Sequence, residues 1–186
     1  MEILENMNKK KTIVVNFYGG PGTGKSTICA GVFEELKWLG INCEMALEYA
    51  KDMVWEGSLN KFDNQLYIFA KQYHRTFRLL GKVDVILTDS PILMSLVYSK
   101  GKENLKLREL ILDKYKELNN IDIFLRRKKK YNPKGRTQTF EGAKKLDKEI
   151  LKVLKHSNAF SYFDAEKESI NKITELIVRY GKLGKI

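Results

Sequence analysis

Gly19, Gly24, Lys25 and Ser26, in "GGPGTGKST", stand at a spacing that could do chemistry together. Glycines let a backbone curl through conformations closed to other residues, so that successive N–H groups point into one concavity. A helix opening near Lys25 would set the positive end of its dipole at the same point. A lysine there reaches the β- and γ-phosphates of a nucleoside triphosphate, and the serine hydroxyl stands where Mg2+ binds. The expected bed for the phosphates is Gly20, Pro21, Gly22, Thr23, Gly24, Lys25, Ser26 and Thr27, and the expected cofactors are ATP and Mg2+.

Two acids could complete that chemistry. Asp89 closes the apolar run "VILTD", as a metal-holding acid behind a phosphate loop does. An N-cap for the chain after Ser90 and Pro91 is the other use of an aspartate there. Glu48, in "LEYAKD", could accept the proton of an attacking hydroxyl, or pair with Lys51 or an arginine.

The stretch 126–136, "RRKKKYNPKGR", holds seven basic residues and no acidic one, so it carries +7 of the net charge of +11. Such a run can be a solvated face, a lid over the triphosphate, or a contact for nucleic acid. Arginines placed around a dissociating phosphoryl group stabilise its spread charge. Arg136, isolated after the Pro133 and Gly135 turn, is the first choice for that role, Arg126 the second and Arg127 the third. On the acceptor side, Trp55 and Tyr67 are candidate stacking surfaces, and Gln65, Gln72, Arg75 and Arg78 could reach a base, sugar or phosphate. His74 and His156 stand alone, without a partner pattern, and receive no role.

Elements must bring these residues together. The β-branched run 12–18, "TIVVNFY", reads as a buried strand and 26–39 as a helix, the strand–loop–helix order the phosphate loop requires. Further strands are expected at 41–47, 83–88, 121–125 and 159–163. Phe62, Leu66, Phe69, Tyr73, Phe77 and Leu80 recur every three or four residues, which predicts one helix over 61–80 lying across the cleft. Leu107 to Leu118, Leu146 to Leu154 and 166–180 mark three more helices. Strands alternating with helices mean a parallel sheet covered on both faces, with ligands outside the carboxyl ends of the strands. Glu48, Asp89, Arg126, Arg127 and Asp164 all fall just past a strand.

Composition bounds the rest. The 186 residues, 43% hydrophobic and 31% charged, suit one globular domain. Residues 1–11 are expected to be a flexible tail and 126–145 a lid region. No run approaches the ~20 apolar residues that span a bilayer, and "MEILENMNKKK" has no apolar signal core, so a cytoplasmic protein without a membrane partner is expected. Cys29 and Cys43 form no zinc-type pair and suit reduced thiols.

The chain resembles the P-loop kinases of the AAA-domain, NadR-type group, which includes ribosylnicotinamide kinase domains. The likeness runs through "GGPGTGKST", "EYAKD", "VILTDS" and "KYKELNNIDIFL", and the "YNPKGRTQ" segment is similar to the lids of small phage-encoded members. It implies a three-layer α/β P-loop NTPase fold, with a five-stranded parallel sheet in the order 2-3-1-4-5, helices on both faces and a basic lid. It also implies transfer of ATP's γ-phosphate to a small acceptor, with Glu48 and Asp89 matching the family's strand-end carboxylates. The lysine-dense lid departs from the pattern, and the chain is short for an added adenylyltransferase domain, so only the kinase step of nicotinamide chemistry would apply.

Three functions follow. The leading expectation is a Mg-ATP-dependent phosphotransferase acting on a hydroxyl or phosphate of a nucleoside, nucleotide or ribosylnicotinamide-like molecule. A kinase acting on a hydroxyl of DNA or RNA through the basic run is the second, although no aromatic-interleaved platform for single strands is visible. An ATP- or GTP-dependent switch without transfer is the third, against which stand the absence of a guanine-specificity motif and the arginines of the basic run. Assembly is left open, a homodimer included.

Overall fold

In a computed structural model, residues 11–99, 101, 104–128, 139–157 and 159–183 are described. The central strand β1 (Ile13–Tyr18) is buried along its whole length, which is why its sequence is a run of large side chains rather than an alternation. A short edge strand β2 (Cys43–Met45), then β3 (Val85–Thr88), β4 (Asn119–Arg126) and β5 (Phe160–Asp164) complete the sheet. All pairings are parallel and the order is β2-β3-β1-β4-β5, as the resemblance implied. The helices are α1 (Lys25–Trp38), α2 (Tyr49–Trp55), α3 (Gln65–Phe77), α4 (Ser95–Tyr98), α5 (Leu105–Lys116), α6 (Phe140–Val153) and α7 (Glu168–Leu183).

Successive strand residues point to opposite faces, so β1 feeds two cores. Ile13, Val15 and Phe17 pack with Ile28, Val32 and Leu36 of α1 and with Ile173 and Ile177 of α7. On the other face Tyr18 packs with Phe69 of α3, Ile111 and Tyr115 of α5 and Ile150 of α6. The three layers are therefore α1 and α7, the sheet, and α3, α5 and α6. Each fully buried aliphatic or aromatic side chain here stabilises the fold by about 1.5–3 kcal/mol.

The inner sheet also buries polar groups. Asp122 of β4, 4% exposed, accepts from Asn16 Nδ2 of β1 at 3.0 Å and from the Tyr115 hydroxyl of α5. Burial pushes this carboxyl above the usual aspartate range, while the donated hydrogen bonds pull it back.

The structure differs from the expected elements at several points. The single helix over 61–80 is broken: a 3-10 turn at Leu59–Asp63 precedes α3, and the Asn64 side chain caps α3 by accepting from Tyr67 N–H at 3.0 Å. Phe62 thus belongs to the turn, and the aromatic stripe begins inside α3. The strand expected at 41–47 shortens to β2, which has a neighbour on only one side. Two elements were not foreseen after β3, a 3-10 turn at Ile92–Met94 and α4. Of the expected tail and lid, residues 1–10 and 129–138 lie outside the described residues.

Candidate active site at the strand ends

The loop between β1 and α1 turns through Gly19, Gly22 and Gly24, whose φ angles of 146°, 72° and 109° are poorly open to other residues. Gly24 is the N-cap of α1, so Lys25 and Ser26 open the helix and its unpaired N–H groups face the loop. Lys25 Nζ folds back onto the loop and donates to the Gly19 carbonyl at 2.7 Å. Burial pulls its ammonium below the usual lysine range; Glu48, Asp89 and Asp147 resist that pull.

Asp89, past β3 and 4% exposed, binds two of the other loops. Its Oδ2 accepts from Ser26 Oγ at 2.5 Å and its Oδ1 from Glu48 N–H at 3.0 Å. One carboxylate therefore joins the ends of β1, β2 and β3. The Glu48 side chain is half-buried, and desolvation pushes it above the usual glutamate range. Lys25 opposes that rise and Asp89 adds to it. The result is a carboxylate with raised proton affinity within electrostatic reach of Lys25 in the phosphate loop. The Ser26 hydroxyl and Asp89 carboxylate offer the hard oxygen donors Mg2+ prefers. No cage of three or more His, Cys, Asp or Glu exists among the described residues, so Mg2+ here would lean on phosphate oxygens and water.

The arginines divide. Arg126 turns to β5, donating from Nε to Asp164 Oδ1 at 2.7 Å, and Lys128 approaches the other oxygen of Asp164 at 3.4 Å. Arg127 turns to the phosphate loop, donating to the Pro21 carbonyl at 2.8 Å and to the Thr23 hydroxyl at 3.3 Å. Arg136 lies outside the described residues.

On the acceptor side, α3 braces the loop that carries Glu48. Gln72 accepts from Tyr49 N–H at 2.8 Å, and Arg75 donates to the Leu47 carbonyl at 3.1 Å and pairs with Asp52. Tyr67 shares a 2.8 Å hydrogen bond with the Tyr49 hydroxyl, and Gln65 donates to the Phe62 carbonyl. Trp55, at the end of α2, is 77% exposed. Arg78 caps the far end of α3, three residues before Gly81, which donates to Thr12 at the start of β1. It lies at the opposite end of the sheet from the phosphate loop. A cavity of about 530 Å3, lined by Leu96, Arg108, Val153 and His156, opens on the flank between α5 and α6, away from the strand ends.

The AAA-domain profile matches residues 14–172, which span the sheet and both carboxylates. The chain belongs to the AAA-domain family. Two solved structures show the same fold. The NadR protein in complex with NAD and AMP-PNP superposes with a TM-score of 0.69 at 16% identity, covering 91% of this chain and 50% of that one. The NadR complex with NR gives 0.71 at 17% identity, covering 91% and 52%. This AAA domain thus spans about half the length of the NadR chains it matches. No curated protein sequence matches it.

Within this AAA domain, Asp147 of α6 is the residue sequence reasoning missed. Its Oδ1 accepts from Gly20 N–H at 2.5 Å. A signal was present: Ala143, Asp147 and Ile150 share the buried face of an amphipathic helix, and an acid on that face needs a partner. Gln72 and Arg75, expected as able to reach an acceptor's base, sugar or phosphate, make contacts that hold the Glu48 loop.

Proposed function

We propose that this chain is a Mg-ATP-dependent phosphotransferase that moves the γ-phosphate to a hydroxyl or phosphate of a nucleoside, nucleotide or ribosylnicotinamide-like small molecule. The observation that carries the reading is Asp89 between Ser26 and the Glu48 backbone, beside Lys25. The NadR structures, which hold NAD, AMP-PNP and NR, support the choice of ligand class.

On this reading the phosphates rest on the loop and on the N-terminus of α1, and Lys25 exchanges the Gly19 carbonyl for phosphate oxygen. Ser26 and Asp89 would hold Mg2+, whose charge would supply screening of the triphosphate. Glu48 takes the proton of the acceptor hydroxyl as its oxygen bonds to the γ-phosphorus. The bond from that phosphorus to the bridging oxygen breaks, and the electron pair leaves with ADP. Arg126 and Arg136 neutralise charge that develops on the transferring group. Trp55 and Tyr67 are the candidate surfaces for the acceptor's ring.

The test is a screen of the purified chain with Mg2+ and γ-labelled ATP against nucleosides, mononucleotides, ribosylnicotinamide and short DNA and RNA strands. Label on a small acceptor supports the reading and names the substrate class. Label only on strands, lost as salt rises, turns it to nucleic acid. Label released only as phosphate favours a switch.

A further inference from the structure

Asp147 has no part in the reaction described above, yet it grips the loop on which that reaction depends. Its Oδ1 accepts from Gly20 N–H at 2.5 Å, while its Oδ2 accepts from Arg127 at 3.3 Å. Arg127 carries the link onward to the Pro21 carbonyl and the Thr23 hydroxyl, and that hydroxyl donates to the Gly20 carbonyl. The contacts form a closed polar ring between α6 and the loop. The fit is tight: a Cβ on Gly20 would lie 2.7 Å from Asp147 Oδ1 and 2.8 Å from the Ala143 carbonyl. The Arg127 side chain is only 10% exposed.

A glycine-rich loop has much freedom to lose when it closes on a ligand, and one held in shape beforehand loses less. A lone carboxylate beside a triphosphate would repel it; here Arg127 balances the charge. We propose that Asp147 is a positioning residue, whose two oxygens hold Gly20 and Arg127 so that α6 braces the phosphate loop in its ligand-receiving curl without meeting the nucleotide. The inference rests on reading that loop as an ATP site.

Calorimetric titration with Mg·ATP, below the melting range of each variant, tests it without needing an acceptor. Asp147→Ala removes both contacts and should raise Kd about tenfold or more, whereas Asp147→Asn keeps an acceptor for Gly20 and should raise it only about threefold. Adding Arg127→Met to Asp147→Ala should weaken binding little further, because both residues belong to one ring. A residue serving only the fold would lower the melting temperature and leave Kd unchanged, so Asp147→Ala binding like the parent overturns the proposal. Should that variant not fold, Asp147→Asn decides: threefold weaker binding supports the proposal and an unchanged Kd sinks it. A parent chain that binds no Mg·ATP overturns the nucleotide reading and this proposal together.

Discussion

Lys25 and Glu48 lie within electrostatic reach of each other, and their environments shift them in complementary ways. Burial weakens the lysine's hold on its proton and strengthens the glutamate's. On the proposed reaction, Lys25→Ala should cut transfer to every acceptor by about 100-fold or more, because a charge stabilising the transferring phosphoryl group is gone. Glu48→Gln should lower kcat by about 100-fold or more while Kd for ATP changes little, since the side chain is assigned to the acceptor's proton and not to the phosphates. Acidity gives a separate check. A base must be unprotonated to act, so activity falls as pH drops through the Glu48 value, and because that value is raised, the acid limb of kcat/KM lies above the ordinary glutamate range. A Glu48→Gln variant that retains this limb would assign it to another group.

At the scale of elements, two joints carry measurable energy. Asn64 separates the 3-10 turn from α3, and its side chain satisfies an N–H of the first turn. Asn64→Ala should cost about 1 kcal/mol, read as a small fall in the denaturation midpoint without a change in slope. That cap also explains a limit of the sequence reading. The aromatic spacing runs unbroken from Phe62 into α3, and periodicity alone does not reveal that an asparagine has stopped one helical segment and begun another. Likewise Ile41 and Leu47 fit a strand pattern, but β2 has a partner on one side only, so the pairing covers just Cys43–Met45. The phosphate loop and the places of Glu48 and Asp89 just past their strands were legible because the strand–loop–helix order fixes local spacing. Asp147 was not, because its partner Gly20 lies 127 residues away in the chain. The second joint is Asp122, which ties β1, β4 and α5. Its folded pKa is raised, chiefly by burial, so the stability linked to it is fully present below the ordinary aspartate value and is lost as pH rises through the folded value. Denaturation of the parent chain and Asp122→Asn at mildly acidic and neutral pH should show the parent losing more stability toward neutrality. Equal losses would mean that Asp122 titrates in the fold as it does in the unfolded chain.

For the whole molecule, the issue is how a domain of net charge +11 stays folded and how the proposed phosphate site bears on that. The net charge of +11 disfavours the compact state and favours an anionic ligand, both through long-range fields that salt screens. Stability and ligand binding are then linked. Mg·ATP at a hundredfold excess over its Kd should stabilise the fold by about 2.7 kcal/mol. For a chain of this size that corresponds to a rise in melting temperature of roughly 5–11 °C. Ser26 and Asp89 separate the metal's share from the phosphates' share. Their 2.5 Å hydrogen bond holds both oxygens at the opening of α1, where they would hold the Mg2+ of the proposed reaction. Chelating Mg2+ should therefore shrink the ATP-induced rise in the parent chain. In Ser26→Ala the rise with ATP alone should persist while the increment from Mg2+ falls, because the loop amides and Lys25 still meet the phosphates. A rise that is the same with and without Mg2+ in the parent would leave Ser26 and Asp89 bonded to each other in the nucleotide complex, and would remove the metal from the proposed reaction.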